Sequence, residues 1–158
     1  MIRNAVRAGI AAIAATGAVL ALSATPAFAA CGNKCDGENP FSYTYLEGGG
    51  VGAPVNCKNS AVTPENTDTK TYLKYANRSI YIELRYSTVC RTAWARTNAV
   101  GWTINTYSYK ADGSFRTSTE QHTNSTVKYS AMVNDAGLTA KACIWVPVSD
   151  TQVCTSKY

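Results

Sequence analysis

Cysteine carries the most chemistry in this sequence: Cys31, Cys35, Cys57, Cys90, Cys143 and Cys154 form an even set, all downstream of an N-terminal export signal. Exported chains with an even cysteine count are read as disulfide frameworks, so three bridges are expected. A zinc site would need close C-x-x-C pairs joined by histidine or further cysteine. Cys31-x-x-x-Cys35 with a single distant His122 fits that poorly. One bridge follows from the pattern alone. Ala142 to Val146 and Thr151 to Cys154 flank Pro147-Val148-Ser149-Asp150, a four-residue hairpin loop. With Val146 opposite Thr151, Cys143 falls opposite Cys154 at the separation a cross-strand disulfide needs. For the other four, Cys35 with Cys57 and Cys31 with Cys90 is the expected pairing. Each bond should contribute about 2 to 4 kcal/mol by restricting the unfolded chain.

Other catalytic chemistry finds little support. His122 sits in the polar stretch Glu120-Gln121-His122-Thr123-Asn124, with no G-x-S-x-G elbow to mark a nucleophile and no second histidine for H-E-x-x-H. It reads as a solvated loop histidine. Asp36, Glu38, Glu83 and Asp112 could in principle pair as acid and base, but their spacing gives no support for it. Glu83 alternates with Arg85 on one strand face, which reads as an ion pair in water of little energetic weight. Gly48-Gly49-Gly50 is followed by neither a Lys-Ser/Thr step nor a helix, so it is no phosphate loop. The reading therefore assigns no catalytic residue, metal or cofactor.

Binding is better represented. Phe41-Ser42-Tyr43-Thr44-Tyr45 alternates aromatic with hydroxyl and runs into Glu47-Gly48-Gly49-Gly50-Val51-Gly52. The segment 41–54 is either a surface loop tied down by Cys35 and Cys57, or an extended arm that adds a strand to a partner with Phe41, Tyr43 and Tyr45 as anchors. Three tryptophans and ten tyrosines are more than so short a domain needs for its core. Exposed tyrosine and tryptophan mark protein interfaces and also stack on sugars.

The elements that must position these residues begin after the leader. Arg3 and Arg7 precede an apolar run from Ala8 to Leu22, and Pro26 precedes Ala27-Phe28-Ala29, so residues 1–29 read as a signal peptide cut before Ala30. The run is short for a bilayer span and no basic stop-transfer cluster follows it. A lipoprotein signal ending at Cys31 is the weaker option, because Phe28 stands where a lipobox carries an aliphatic residue. Removal leaves 158 − 29 = 129 residues, one domain at 30–158, with a charge of 13 − 10 = +3 and no basic run. Neither nucleic-acid nor anionic-membrane binding is expected from so sparse a basic content, and no membrane insertion is expected once the signal is cleaved.

Along the mature chain the apolar period is two, which means strands. Ile80, Ile82, Leu84 and Tyr86 alternate with Tyr81, Glu83 and Arg85, and Thr69 to Ala76 should pair antiparallel with them through a turn at Asn77-Arg78. Trp102 to Tyr109 and Ser114 to Thr119 flank Lys110-Ala111-Asp112-Gly113, an Asp-Gly hairpin signal. Thr126 to Val133, with Val127, Tyr129, Ala131 and Val133 on one side, should form a second hairpin with Leu138 to Val146 through Asn134-Asp135-Ala136-Gly137. Helix is confined at most to a turn around Cys90 to Arg96. The expected class is all-β, a small disulfide-stabilised antiparallel barrel or sandwich.

Cys35-Asp36-Gly37-Glu38-Asn39-Pro40, Cys57, Ile82-Glu83-Leu84-Arg85-Tyr86-Ser87 and Cys90-Arg91-Thr92-Ala93-Trp94-Ala95-Arg96 together resemble the YjfA-like domain of unknown function of secreted Gram-positive, mainly actinobacterial, proteins. The resemblance spans about residues 31 to 150. It implies export, disulfides and a compact β fold, and carries over no catalytic residue. The segment between Pro40 and Cys57 is longer than the family's usual pattern. Arg85, Arg91 and Arg96 surround Cys90 and Trp94, either as a brace on Asp36 or Glu83 with Trp94 in the core, or as an exposed partner-binding hot spot of Arg91, Trp94 and Arg96. The expected function is a secreted non-enzymatic protein-binding or adaptor module, with an extracellular protein partner, within a multi-subunit antibacterial assembly. An enzyme inhibitor or envelope carbohydrate-binding domain is the alternative, and a small carboxylate hydrolase ranks below both.

Overall fold

The computed structural model describes residues 31–46, 54–64 and 68–158. The signal peptide read at 1–29 and the glycine run of the arm lie outside the described residues. Eleven strands follow in order: β1 (Thr44–Leu46), β2 (Pro54–Asn56), β3 (Ala61–Val62), β4 (Lys70–Tyr75), β5 (Arg78–Ser87), β6 (Thr92–Thr97), β7 (Thr103–Tyr109), β8 (Phe115–His122), β9 (Val133–Asn134), β10 (Thr139–Val146) and β11 (Thr151–Cys154). Short 3-10 turns occupy Gly32–Cys35 and Cys57–Ser60. β1 and β2 pair with each other, and the other nine strands make two antiparallel sheets that do not close on each other, so of the two expected architectures the chain takes the sandwich.

One sheet has the order β11-β10-β7-β8. In the other, β5 carries β6 on one edge and both β4 and β3 on the opposite edge, while β9 extends β6. Period-two patterning explains the core. Ile80, Ile82 and Leu84 of β5 are buried against Ile104 of β7 and Ala140, Ala142 and Ile144 of β10. Small inward residues, Ala93 and Ala95 on β6 and Ala140 and Ala142 on β10, let the sheets approach closely. Polar groups inside this layer are paired: Thr106 and Ser130 share a 2.6 Å hydroxyl contact, and both accept from the Ala95 amide.

The β4–β5 hairpin forms, but its turn is Ala76-Asn77 and not the expected Asn77-Arg78: these two residues take φ 44° and 62°, the left-handed pair of a two-residue hairpin turn, and Arg78, already in β5, pairs with Tyr75. The Asp-Gly hairpin also forms. Gly113 takes φ 83°, and Asp112 Oδ1 accepts from the Ser114 amide at 2.8 Å.

Three further expectations are corrected. Thr126 to Val133 does not pair with Leu138 to Val146. Instead it runs beside β6 through the Arg96–Tyr129 bridge and the β6–β9 pairing, while β10 lies between β7 and β11. Asn134 to Gly137 is thus a crossover between sheets. Tyr129 and Val133 also face opposite sides, Val133 into the main core and Tyr129 towards the cysteines, because the ladder beside β6 is interrupted. Finally, the expected helical turn at Cys90 to Arg96 is a tight turn, with Arg91 at φ 54°, leading straight into β6.

Candidate interaction surface

The outer face of the five-stranded sheet is where most of the sequence-derived site residues come together. Its upper half is covered by the N-terminal segment. Cys31, Cys35, Cys57, Cys90, Trp94 and Met132 form a second buried cluster there, with Tyr43, Ala61 and Tyr129 packed against it. The bridges are Cys31–Cys35, Cys57–Cys90 and Cys143–Cys154. Cys143 opposite Cys154 matches the sequence expectation, in the same register with Val146 opposite Thr151. The pairing Cys35–Cys57 and Cys31–Cys90 is corrected. The cause is the β3–β5 ladder: with Ala61 opposite Ser87, the chain continues on both sides to bring Cys57 to Cys90, leaving Cys31 and Cys35 to close on each other across one 3-10 turn.

Trp94 is 1% exposed beneath this layer, so it is a core residue and not the partner contact of the hot-spot reading. Arg91 is half-buried beside the Asp135 carboxyl, and both groups act on Tyr86. Its exposure and its neighbours make it a structural group too. Phe41 remains accessible at 37% and stacks on Tyr129, ring centroids 4.0 Å apart, with Lys58 Nζ 4.7 Å above it. Asn39 and Asn56 fix the Phe41 backbone, accepting from its amide at 2.8 Å and donating to its carbonyl at 3.0 Å. Tyr43 is half-buried against the cysteines. Tyr45 lies in β1 opposite Val55, and its side chain is outside the described residues.

Beside this layer lies a charge cluster. Glu83, on the outward side of β5, is 1% exposed, which corrects the reading of a solvated Glu83–Arg85 pair. Its nearest cation is Arg96, directly across the ladder, with Nε 2.5 Å from Oε1. The groups are in charge contact without an aligned hydrogen bond, since neither atom has a directed partner. Lys70 Nζ is 3.5 Å from Oε2 and Arg85 Nη1 is 3.9 Å from Oε1. Arg85 is otherwise committed, donating to Thr63 Oγ1 and the Ala61 carbonyl at 2.8 Å each. Burial and the Arg96 charge both lower the proton affinity of Arg85. A hydrogen bond to Tyr72 raises that of Lys70, partly opposed by desolvation and aided by Glu83. Lys70 also sits 4.5 Å over Tyr81 and 5.3 Å over Tyr72.

The brace reading of the arginines therefore holds for Arg96 and Arg85 on Glu83, whereas Asp36 is held by Arg116, with Nη1 and Nη2 at 2.8 and 2.6 Å. That bidentate pair ties the N-terminal segment to β8. Sequence reasoning missed Arg116, Lys70, Tyr129 and Asp135. Lys70 was missed because a turn at Asn77-Arg78 would set it opposite Arg85, whereas the observed Ala76-Asn77 turn sets it opposite Glu83. Nothing in the sequence places Tyr129 on Phe41 or Arg116 on Asp36.

No other grouping competes strongly. His122 ends β8, exposed, with Nδ1 3.4 Å from Thr103 Oγ1. Among the described residues no three His, Cys, Asp or Glu side chains gather as metal ligands, and no helix is long and apolar enough to cross a membrane. An open groove of about 580 Å³ at one end of the sandwich is lined by Tyr75, Arg78, Asn98 and Trp102. Its polar wall is already engaged, since Asn98 bonds the Tyr81 amide and the Ser79 carbonyl.

No curated protein and no solved structure matches this chain. One family model does, over residues 33–143, described as a protein of unknown function, DUF2690. The match takes in the Asp36 anchor, the arm, the Glu83 cluster and β6 to the middle of β10, so the chain belongs to the DUF2690 family of proteins of unknown function.

Proposed function

We propose that this chain is a secreted, non-enzymatic protein-binding or adaptor module that holds a partner within a larger extracellular, antibacterial assembly. The observation that carries the reading is the arm. Among the described residues β1 pairs only with β2, forming a two-stranded ribbon outside both sheets, beside the exposed rings and side chains of Phe41 and Leu46. A lone two-stranded ribbon is marginal in water, and a third strand from a partner satisfies its open edge. The Cys57–Cys90 bridge, one residue beyond β2, holds the ribbon's base to the sandwich. Export is supported by the signal read at 1–29, by the three bridges and by the likeness of its motifs to the YjfA-like secreted domain. The non-enzymatic reading is supported by carboxylates that are engaged by cations, Asp36 by Arg116 and Glu83 by Arg96.

A carbohydrate-binding role has one observation in its favour. Tyr107, Tyr109, Phe115 and Trp145 line the outer face of the four-stranded sheet, with Phe115 57% and Trp145 37% exposed. Lysines already cover two of these rings, Lys157 Nζ lying 3.6 Å over Tyr109 and Lys141 Nζ 5.5 Å over Tyr107, which leaves less face for sugar stacking. The test is co-purification of the tagged mature chain from culture supernatant, comparing wild type with Phe41→Ala and Leu46→Lys. A defined protein retained by wild type and lost from both variants supports the adaptor. Retained glycan without protein, or a partner indifferent to both substitutions, refutes it.

A further inference from the structure

The Glu83 cluster holds more positive charge than its carboxylate neutralises. Three cations, Lys70, Arg85 and Arg96, face one anion, leaving 3 − 1 = +2 on a small patch. Charges gathered around a desolvated carboxylate are screened less than charges in open water, so such a surplus is a standing preference for further anions. The distribution of free donors is specific. Arg85 spends its terminal nitrogens on Thr63 and Ala61 and has a side chain 20% exposed, so it contributes field without contact. Arg96 meets Glu83 through Nε, its side chain is 41% exposed, and among the described residues its terminal nitrogens donate no hydrogen bond. Lys70 is 35% exposed.

Register then fixes the layout. Lys70, Glu83, Arg96 and Tyr129 occupy one row across β4, β5, β6 and the segment beside it, and Tyr129 carries the Phe41 ring with Lys58 above it. Adjacent strands lie about 4.8 Å apart, so Lys70 and Arg96 stand roughly 10 Å apart along that row. That is the span of about three residues of extended chain. The row leads from the exposed Lys70 ammonium and the Arg96 guanidinium directly to the aromatic anchor beside the arm.

We infer that the Lys70–Arg96 row is the docking site for an acidic extended segment of a protein partner, two of whose carboxylates meet Arg96 and Lys70 while its backbone continues towards Phe41 and the β1–β2 ribbon. This rests on the adaptor reading and adds the chemistry of the partner. A polypeptide is the occupant because the row is continuous with a ribbon whose open edge takes backbone hydrogen bonds, which a polysaccharide does not supply. Charge complementarity of this kind sets on-rate and specificity.

The experiment titrates the mature chain with fluorescein-labelled hexaglutamate, using hexaglutamine as the neutral control. Wild type should bind hexaglutamate, with affinity falling as salt rises, and ignore hexaglutamine. Lys70→Gln and Arg96→Gln should each weaken binding about five-fold, the size of one exposed charge contact. Lys141→Gln with Lys157→Gln, on the opposite sheet, should change nothing. Arg96→Gln can disturb Glu83, so Lys70→Gln, whose side chain is exposed, decides the matter if the arginine variant melts early. Hexaglutamate that fails to bind, binds equally to Lys70→Gln, or is lost only with the opposite-face variant overturns the site. A sulfated hexasaccharide that binds at Lys70 and Arg96 where hexaglutamate does not overturns the peptide assignment. A partner that co-purifies through Phe41 yet ignores Lys70→Gln removes this inference and leaves the adaptor reading intact. Hexaglutamate binding at the row with no protein partner in the supernatant removes the adaptor reading alone.

Discussion

Replacing Asp135 with asparagine should abolish the loss of stability that this buried carboxyl causes as pH rises towards 8. Asp135 is 5% exposed at the crossover after β9, its Oδ1 has no hydrogen-bond partner, and its amide donates to the Arg91 carbonyl. Burial pushes its carboxyl up to about 8 from an ordinary 3.8, although Arg91 and Arg116 each pull the other way. The folded chain therefore binds a proton that the unfolded chain has already released between those two values. Stability from this group is complete below pH 3.8, declines as pH rises and levels off above about 8. At about 1.4 kcal/mol per decade of proton affinity, the loss between pH 5 and pH 8 is roughly 3 to 4 kcal/mol. Asparagine keeps the shape and cannot ionise. Urea denaturation at pH 5, 6, 7 and 8 should show wild type declining relative to Asp135→Asn by that amount, with all other titrations cancelling in the difference. Parallel curves for the two proteins would refute the argument, because they would mean that Asp135 is already ionised in the fold at neutral pH.

Other substitutions test the remaining parts. The double change Cys57→Ser with Cys90→Ser opens a bridge spanning 33 residues and should destabilise by about 3 to 4 kcal/mol in urea, while Cys31→Ser with Cys35→Ser, spanning 4, should cost about 2. Trp94→Ala empties the second core and should cost about 3 to 5 kcal/mol, readable as a lowered thermal midpoint. Glu83→Gln leaves Lys70, Arg85 and Arg96 facing one another without their carboxylate and should cost about 3 to 5 kcal/mol, less at high salt. Ala76→Asn should raise stability by about 0.5 to 1 kcal/mol, since asparagine tolerates the left-handed turn position that alanine occupies under strain.

Local rules carried far in this chain. Alternation placed Ile80, Ile82 and Leu84 in the core, the Asp-Gly signal gave a hairpin without its bulged register, and the four-residue loop before Thr151 gave a second hairpin in its observed register. Cys143–Cys154 was legible because a hairpin fixes its own cross-strand pairs. The errors have one cause. Thr126 to Val133 alternates well enough for a strand, but alternation names no partner, and the segment joins β6 in the other sheet. The misassigned bridges follow from the same gap, since the β3–β5 ladder that brings Cys57 to Cys90 pairs two segments between which β4 intervenes, and no local signal names that pairing.

The candidate surface divides along the same line. Phe41, Arg91, Trp94 and Arg96 stood out by type and spacing, yet residue type does not say which side of a sheet is roofed over. The N-terminal segment folds onto the outer face of β6 and buries Trp94, while Arg96, two residues on, stays at the edge of that cover. Sequence by itself determined the class of the fold, its strand periodicity and its need for sulfur bridges, because those depend on neighbours a few residues apart. Only the tertiary structure decided that Arg96 and Lys70 share one carboxylate, that Phe41 rests on Tyr129, and that Asp135 is cut off from water, because each depends on strands brought together from distant parts of the chain.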